Sequence, residues 1–248
     1  MTPPPGAEDA HTQPLLPAQG PVELLFLLFH GDGAHAGQMD GLAQALRAQY
    51  PQAAVVALNA PQRLPSAAVE GHRWFDADGT DPAAALAIAL PGFIATVRAW
   101  AQRYDLSWER VALAGYSQGG QMALEAVLTE PALAGRVLSF GAAPLGRPVS
   151  APEGCTLHLL HGKQDDVVPY AHVVDAAQAW LALGADITAD VLPHVGHALA
   201  PALVERALQQ LRTFIPARLW REAVMTAAEM DQADARALQP ERPPGPVH

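Results

Sequence analysis

Charge, cysteine and serine are all scarce in this chain. Only 16% of the 248 residues are Asp, Glu, Lys or Arg, while 50% are hydrophobic. That excludes a solvated or disordered chain and leaves ample material for a full core. One cysteine, Cys155, excludes an intrachain disulfide and any cysteine-built metal cluster, and fits a reducing compartment. Basic residues are also few. The formal net charge is -10 and the isoelectric point about 5.3, which argues against nucleic acid and anionic membranes as partners. The opening residues, MTPPPGAEDAHTQPLLPAQG, carry acids and prolines where a signal peptide needs basic and then apolar residues. The apolar run from Leu24 to Phe29 is far too short to cross a bilayer. These absences lead us to expect a soluble, cytoplasmic protein with no nucleic-acid partner and no stable membrane insertion.

Internal repeats and an interdomain linker are missing too. We expect a mobile, disordered N-terminal arm over residues 1–20, one folded domain over 21–216, and a C-terminal helix with a frayed tail over 217–248. Residues 217–237 can form an amphipathic helix that docks on the body or on another subunit, which leaves a homodimer open.

Apolar runs alternate with helical spacing along the body. Strands are expected at Val22–Phe29, Ala53–Leu58, Val111–Ala114, Arg136–Phe140, Thr156–His161 and Ile187–Leu192, the first a continuous apolar run, as a strand covered on both faces reads. Helices are expected at Ala36–Tyr50, at Asp81–Tyr104 with a kink or break at Pro91, at Met122–Leu128, at Tyr170–Leu183 and at Leu199–Phe214. This alternation implies an α/β fold, a mostly parallel, doubly wound sheet with helices on both faces. Residues 61–79 read as a long irregular loop, a kind that often carries function.

The chain has five serines. Ser117 stands at the tip of Gly115-Tyr116-Ser117-Gln118-Gly119, between an apolar strand and a helix. In that setting G-x-S-x-G marks a serine exposed on a strained strand-to-helix turn. A serine hydroxyl needs a base within hydrogen-bond reach, and the base needs an acid to orient it. In doubly wound sheets such groups gather at the carboxyl ends of strands. Asp165 and Asp166 follow the strand ending at His161, and Asp165 is the preferred acid because Asp166 abuts the apolar turn. His194 and His197 follow the last strand. His197 is preferred, with Gly196 giving its loop freedom to turn inward. Two backbone N–H donors are needed for an oxyanion. Those of Gln118, after the serine, and Asp32, in the turn after the first strand, are assigned. Trp74 and Phe75 either wall the acyl pocket or pack in the core, and His30 reads as a structural hydrogen-bonder. The pairs His158/His161 and His194/His197 have H-x-x-H spacing, but odd spacing on a strand sends two side chains to opposite faces. With no HExxH and no cysteine cluster, no metal is expected.

These motifs are similar to one family. The HG-D-G turn at His30–Gly33, RWFD at Arg73–Asp76, GYSQGG at Gly115–Gly120, HG-x-x-D-x-V-x-P at His161–Pro169 and GH at Gly196-His197 resemble the phospholipase/carboxylesterase family of α/β-hydrolases. The resemblance runs from about Leu24 to Val224. It implies an α/β-hydrolase fold, with Ser117 as nucleophile, Asp165 as acid, His197 as base and the Asp32 and Gln118 amides as oxyanion hole. It also implies a small-molecule carboxylic ester as substrate and no cofactor. Two positions depart from the family pattern: Asp32 stands where an apolar residue is usual, and Asp166 where a proline is frequent. The Asp32 carboxylate must then turn away from the oxyanion, or the site prefers a basic or polar substrate. The expected activity is that of a serine carboxylesterase on small or medium acyl groups. A thioesterase, a lysophospholipase and an inactive binding module on the same fold are the rivals.

Overall fold

A computed structural model describes residues 14–17, 20–64, 71–216 and 219. The expected arm over 1–20 and the C-terminal helix and tail over 217–248 therefore lie mostly outside the described residues.

Short segments form the strands, most of them apolar and buried on both faces. They are β1 (Leu24–Phe29), β2 (Ala53–Leu58), β5 (Val111–Tyr116), β6 (Arg136–Phe140), β7 (Thr156–Gly162) and β8 (Asp186–Leu192). They make one six-stranded sheet in the order β2-β1-β5-β6-β7-β8, with every pairing parallel. Alternate residues of each strand feed two cores. Leu25, Leu27 and Phe29 of β1 join the core shared with α2 (Pro82–Arg103), α3 (Gln118–Thr129) and α4 (Tyr170–Ala182). Phe26 and Leu28 join the opposite core, with α1 (Asp40–Gln49) and α5 (Pro201–Thr213). This is the α/β-hydrolase arrangement, with β5 near the middle of the sheet.

The structure departs locally from the expected elements. Helical spacing begins at Ala36, but Ala36–Met39 is a 3-10 turn, and the α-helix starts at Asp40. Pro91 neither splits α2 nor ends it, and the helix runs unbroken through it. Pro91 and Ala87 both lie on the exposed side, so water can hydrate the Ala87 carbonyl that loses its partner. The loop at 61–79 contains a two-stranded antiparallel ladder, β3 (Gln62–Leu64) with β4 (Gly71–Arg73). Within the expected arm, Leu15 exchanges two backbone hydrogen bonds with Val55, at 2.9 and 3.0 Å, and so pairs with the outer edge of β2.

Among the described residues α2 is the one helix long and apolar enough to cross a membrane by length and composition. Its Leu86, Leu90, Phe93, Ile94, Val97 and Trp100 are buried in the core. Its start is capped by Asp81, whose carboxylate accepts from the Ala84 N–H at 3.0 Å ahead of Pro82. Asp81→Ala is expected to lower the unfolding free energy by about 1 kcal/mol, the usual cost of a lost N-cap, read as a shifted urea midpoint at constant slope. An unchanged midpoint would show that the cap contributes nothing.

Candidate active site

Ser117 lies where β5 turns into α3, with φ 50° and ψ -118°, a left-handed region costly for a residue with a side chain. The turn is held from both sides. The Ser117 N–H donates to Phe140 O at 2.8 Å, and its carbonyl accepts from the Gln121 N–H at 3.0 Å. Glycines make the close approach feasible. A Cβ on Gly115 would collide with the backbone of Gly119 and Gly120, and one on Gly119 with the carbonyls of Phe29 and His30.

His197 arrives from the loop after β8. Its Nε2 is 3.0 Å from Ser117 Oγ, and its Nδ1 is 2.8 Å from Asp165 Oδ2. Asp165, just past β7, has no side-chain exposure. Its Oδ1 accepts from the Val167 and Val168 amides at 3.0 and 2.8 Å, and His161 Nε2 lies 3.1 Å from its Oδ2. Burial pushes the Asp165 carboxyl up, but the Val168 amide, His197 and the Val167 amide outweigh it, and the group lies below the ordinary carboxylate range. An ionised Asp165 can only accept, so His197 carries its proton on Nδ1 and presents the Nε2 lone pair to the Ser117 hydroxyl. The alternatives weighed from the sequence, Asp166 and His194, are both exposed. The left-handed residue of the His197 loop is His194, at φ 61°, rather than Gly196. The glycine that admits the loop is Gly162, where a Cβ would strike the Val195 and Gly196 carbonyls.

Asp32 and Gln118 line a cleft of about 340 Å³ together with Ser117. Among the described residues their N–H groups donate to no acceptor. The Asp32 carboxylate turns to Arg73, with Oδ1 3.2 Å from Nε and Oδ2 3.3 Å from Nη2. The Gln118 side chain is buried. It accepts from the Trp74 N–H at 2.7 Å and donates to Phe75 O at 3.0 Å.

Trp74 and Phe75 are 5% and 1% exposed and pack in the core; neither lines the cleft at Ser117, while Trp74 borders a separate cavity of about 470 Å³ with His72 and Phe93. The cleft is walled instead by Ala77, Gln121, Gly141–Leu145, Val168 and His172, and shares Pro144, Leu145 and His172 with a groove of about 580 Å³ along α4. The sequence reading missed residues 141–145. The signal was present, because they follow the carboxyl end of β6, and such ends face the site in this topology.

His30 is buried and accepts from the Ala60 N–H at Nε2, 3.0 Å away, while Nδ1 donates to Gly31 O at 2.6 Å. His158 and His161 do diverge: His158 meets Arg136 and Thr188, and His161 meets Val168. Among the described residues no group of three His, Cys, Asp or Glu side chains is placed to hold a metal ion.

A parallel doubly wound sheet with a strained serine on the turn after a central strand, and a histidine and a buried aspartate in line behind it, defines the chain as an α/β-hydrolase. The sequence pattern of the Phospholipase/Carboxylesterase family matches residues 14–218. The chain is 35% identical to esterase YpfH of Escherichia coli strain K12 over 207 residues, covering 82% of this chain and 88% of that one. It is similar to the crystal structure of esterase PE8, with TM-score 0.73 and 26% identity over 82% of this chain and 98% of that one. A shorter match, 29% over 116 residues and 44% of this chain and 49% of that one, is to acyl-protein thioesterase 1 of Gibberella zeae. The chain therefore belongs to the phospholipase/carboxylesterase family and is an esterase-type hydrolase.

Burial lowers His30 from its ordinary 6.5 to about 4, the Gly31 hydrogen bond opposing only in part. The unfolded chain takes up that proton near pH 6.5 and the folded chain only near pH 4, so stability is full above 6.5 and falls as pH drops between the two. His30→Gln is expected to flatten this part of the profile of unfolding free energy against pH. A slope equal to that of the wild type would assign the acid sensitivity elsewhere.

Proposed function

We propose that the protein is a serine carboxylesterase acting on small or medium acyl esters through Ser117, His197 and Asp165. The observation that carries this reading is the unbroken contact from Ser117 Oγ to His197 Nε2 at 3.0 Å and from His197 Nδ1 to Asp165 at 2.8 Å.

In this reading His197 takes the hydroxyl proton as Ser117 attacks the ester carbonyl. The negative charge on the tetrahedral oxygen is met by the N–H groups of Asp32 and Gln118, the latter at the positive end of α3. The imidazolium, held by the Asp165 carboxylate, gives its proton to the leaving alcohol. Water then enters and attacks the acyl carbon as it loses a proton to His197, and His197 returns that proton to Ser117 Oγ as the acyl–Oγ bond breaks and the acid leaves. No step calls for a cofactor. The cleft at Ser117 holds a short acyl chain, and its opening toward the groove along α4 suits a medium one.

A second reading, hydrolysis of thioesters, is favoured by the partial match to an acyl-protein thioesterase. The same attack serves both bonds, since the thiol is the better leaving group.

A fluorophosphonate probe is expected to label the wild-type protein and not Ser117→Ala. The substitution should lower ester kcat on the order of 10⁶-fold, to assay background. Folded wild-type protein that takes no label would favour a binding module instead. In a panel of p-nitrophenyl esters, acyl-CoA and lysolipids, turnover of thioesters or lysolipids without turnover of oxygen esters would replace the substrate class proposed here.

A further inference from the structure

One short segment holds both residues whose amides are assigned to the oxyanion hole. β4 pairs with the loop after β1: the Gly33 N–H donates to His72 O at 3.0 Å, and the His72 N–H to Ala34 O at 2.8 Å. Next in sequence, Arg73 grips both carboxylate oxygens of Asp32. Trp74 and Phe75 follow and hold the Gln118 side chain through their backbone N–H and carbonyl. The Trp74 indole N–H then donates to His30 O at 2.9 Å, closing the brace on the start of the oxyanion loop.

Arg73 is the charged member of this brace. It lies among three carboxylates, with Nη1 2.8 Å from Asp76 and Nη2 3.1 Å from Asp78 besides its fork to Asp32. Its side chain is 16% exposed, against 38% for Asp32 and 83% for Asp78. The Asp32 carboxylate belongs to a residue that lines the cleft and whose own N–H has no acceptor among the described residues. Released from Arg73, it is a negative charge free to swing toward the place where an oxyanion forms, and like charges there oppose the reaction.

We propose that Arg73 is a positioning residue for ester hydrolysis. It holds the Asp32 carboxylate away from the cleft and fixes the Asp32 amide toward it. The inference rests on the functional reading above. It concerns the transition state, where the oxyanion charge appears, and not the uncharged ground-state ester, so the effect falls on kcat and spares KM.

The test is a kcat and KM measurement on p-nitrophenyl butyrate for wild type, Arg73→Met, Asp32→Asn, the double variant and Asp78→Asn, with thermal melts on each. Arg73→Met is expected to lower kcat about 10- to 100-fold, less than the loss of a whole oxyanion donor, with KM within about twofold. The double variant is expected to recover most of that loss, because no misplaced carboxylate remains. Asp78→Asn should match the wild type. If Arg73→Met melts too low to assay, Arg73→Lys, which keeps the charge and loses the fork, is expected to lower kcat by about 3- to 10-fold with KM unchanged, and wild-type kcat in it would equally overturn the positioning role. Wild-type kcat in Arg73→Met, or a double variant no better than Arg73→Met alone, would overturn the positioning role and leave the esterase reading intact. A folded wild-type protein inactive on every ester would overturn the esterase reading, and this inference with it.

Discussion

No side chain fits between β5 and the start of α3, and the rest of the site depends on that contact. The backbones at 115 and 119–120 touch, and the carbonyls of Phe29 and His30 press on residue 119 from β1. Sheet register fixes the distance, since Gly115 pairs with Phe29 on one side and Ser139 on the other. So tight a passage forces Ser117 into a left-handed conformation, which costs about 1–3 kcal/mol and persists only where surrounding structure over-determines it. Here the structure that over-determines it is the parallel sheet itself, the least deformable part of the molecule.

Parallel strands end on the same side, and this brings distant residues together. β1, β5, β7 and β8 deliver in turn the loop that carries Asp32, the serine, the aspartate and the histidine. The electrostatics then follow from burial. A carboxylate with no solvent exposure stays ionised only if donors surround it, and the amides of Val167 and Val168 with His197 supply them. That same carboxylate leaves His197 a single tautomer. The geometry of the serine and the state of its base thus have separate origins, one steric and one electrostatic.

Legibility in the sequence divides along the same line. Most of the parallel strands could be read because they are apolar runs buried on both faces, β8 with its two aspartates excepted, and the serine because its glycines have a steric cause. Asp165 and His197 could be ranked above Asp166 and His194 but not separated by burial, which only the folded sheet decides. The reason given for His197 did not hold as stated: the loop turns at His194 and gains its room from Gly162, on a different strand. The break that Pro91 could have made is absent because the cost of a proline depends on which side of the helix it faces. β3 and β4 escaped notice because three-residue strands are too short to carry a periodic signal.

Residues 71–78 show what such a reading cannot reach. RWFD looks like an aromatic pair with charged neighbours, and aromatics near an active site suggest a pocket. In the fold the rings go to the core, where Trp74 meets Phe29 and Phe93 at 5.4 and 5.5 Å between centroids, and the backbone of the same residues reaches Gln118. The wall of the cleft comes from residues after β6, whose only mark in the sequence is their place after a strand. An acid in the loop after β1, a puzzle when Asp32 is considered alone, has its partner 41 positions away in Arg73. Three aspartates lie within reach of that guanidinium, and no spacing rule tells which of them it serves. A pair of this kind is set by the antiparallel bridge between residues 34 and 72, so it becomes visible only once the two loops lie side by side.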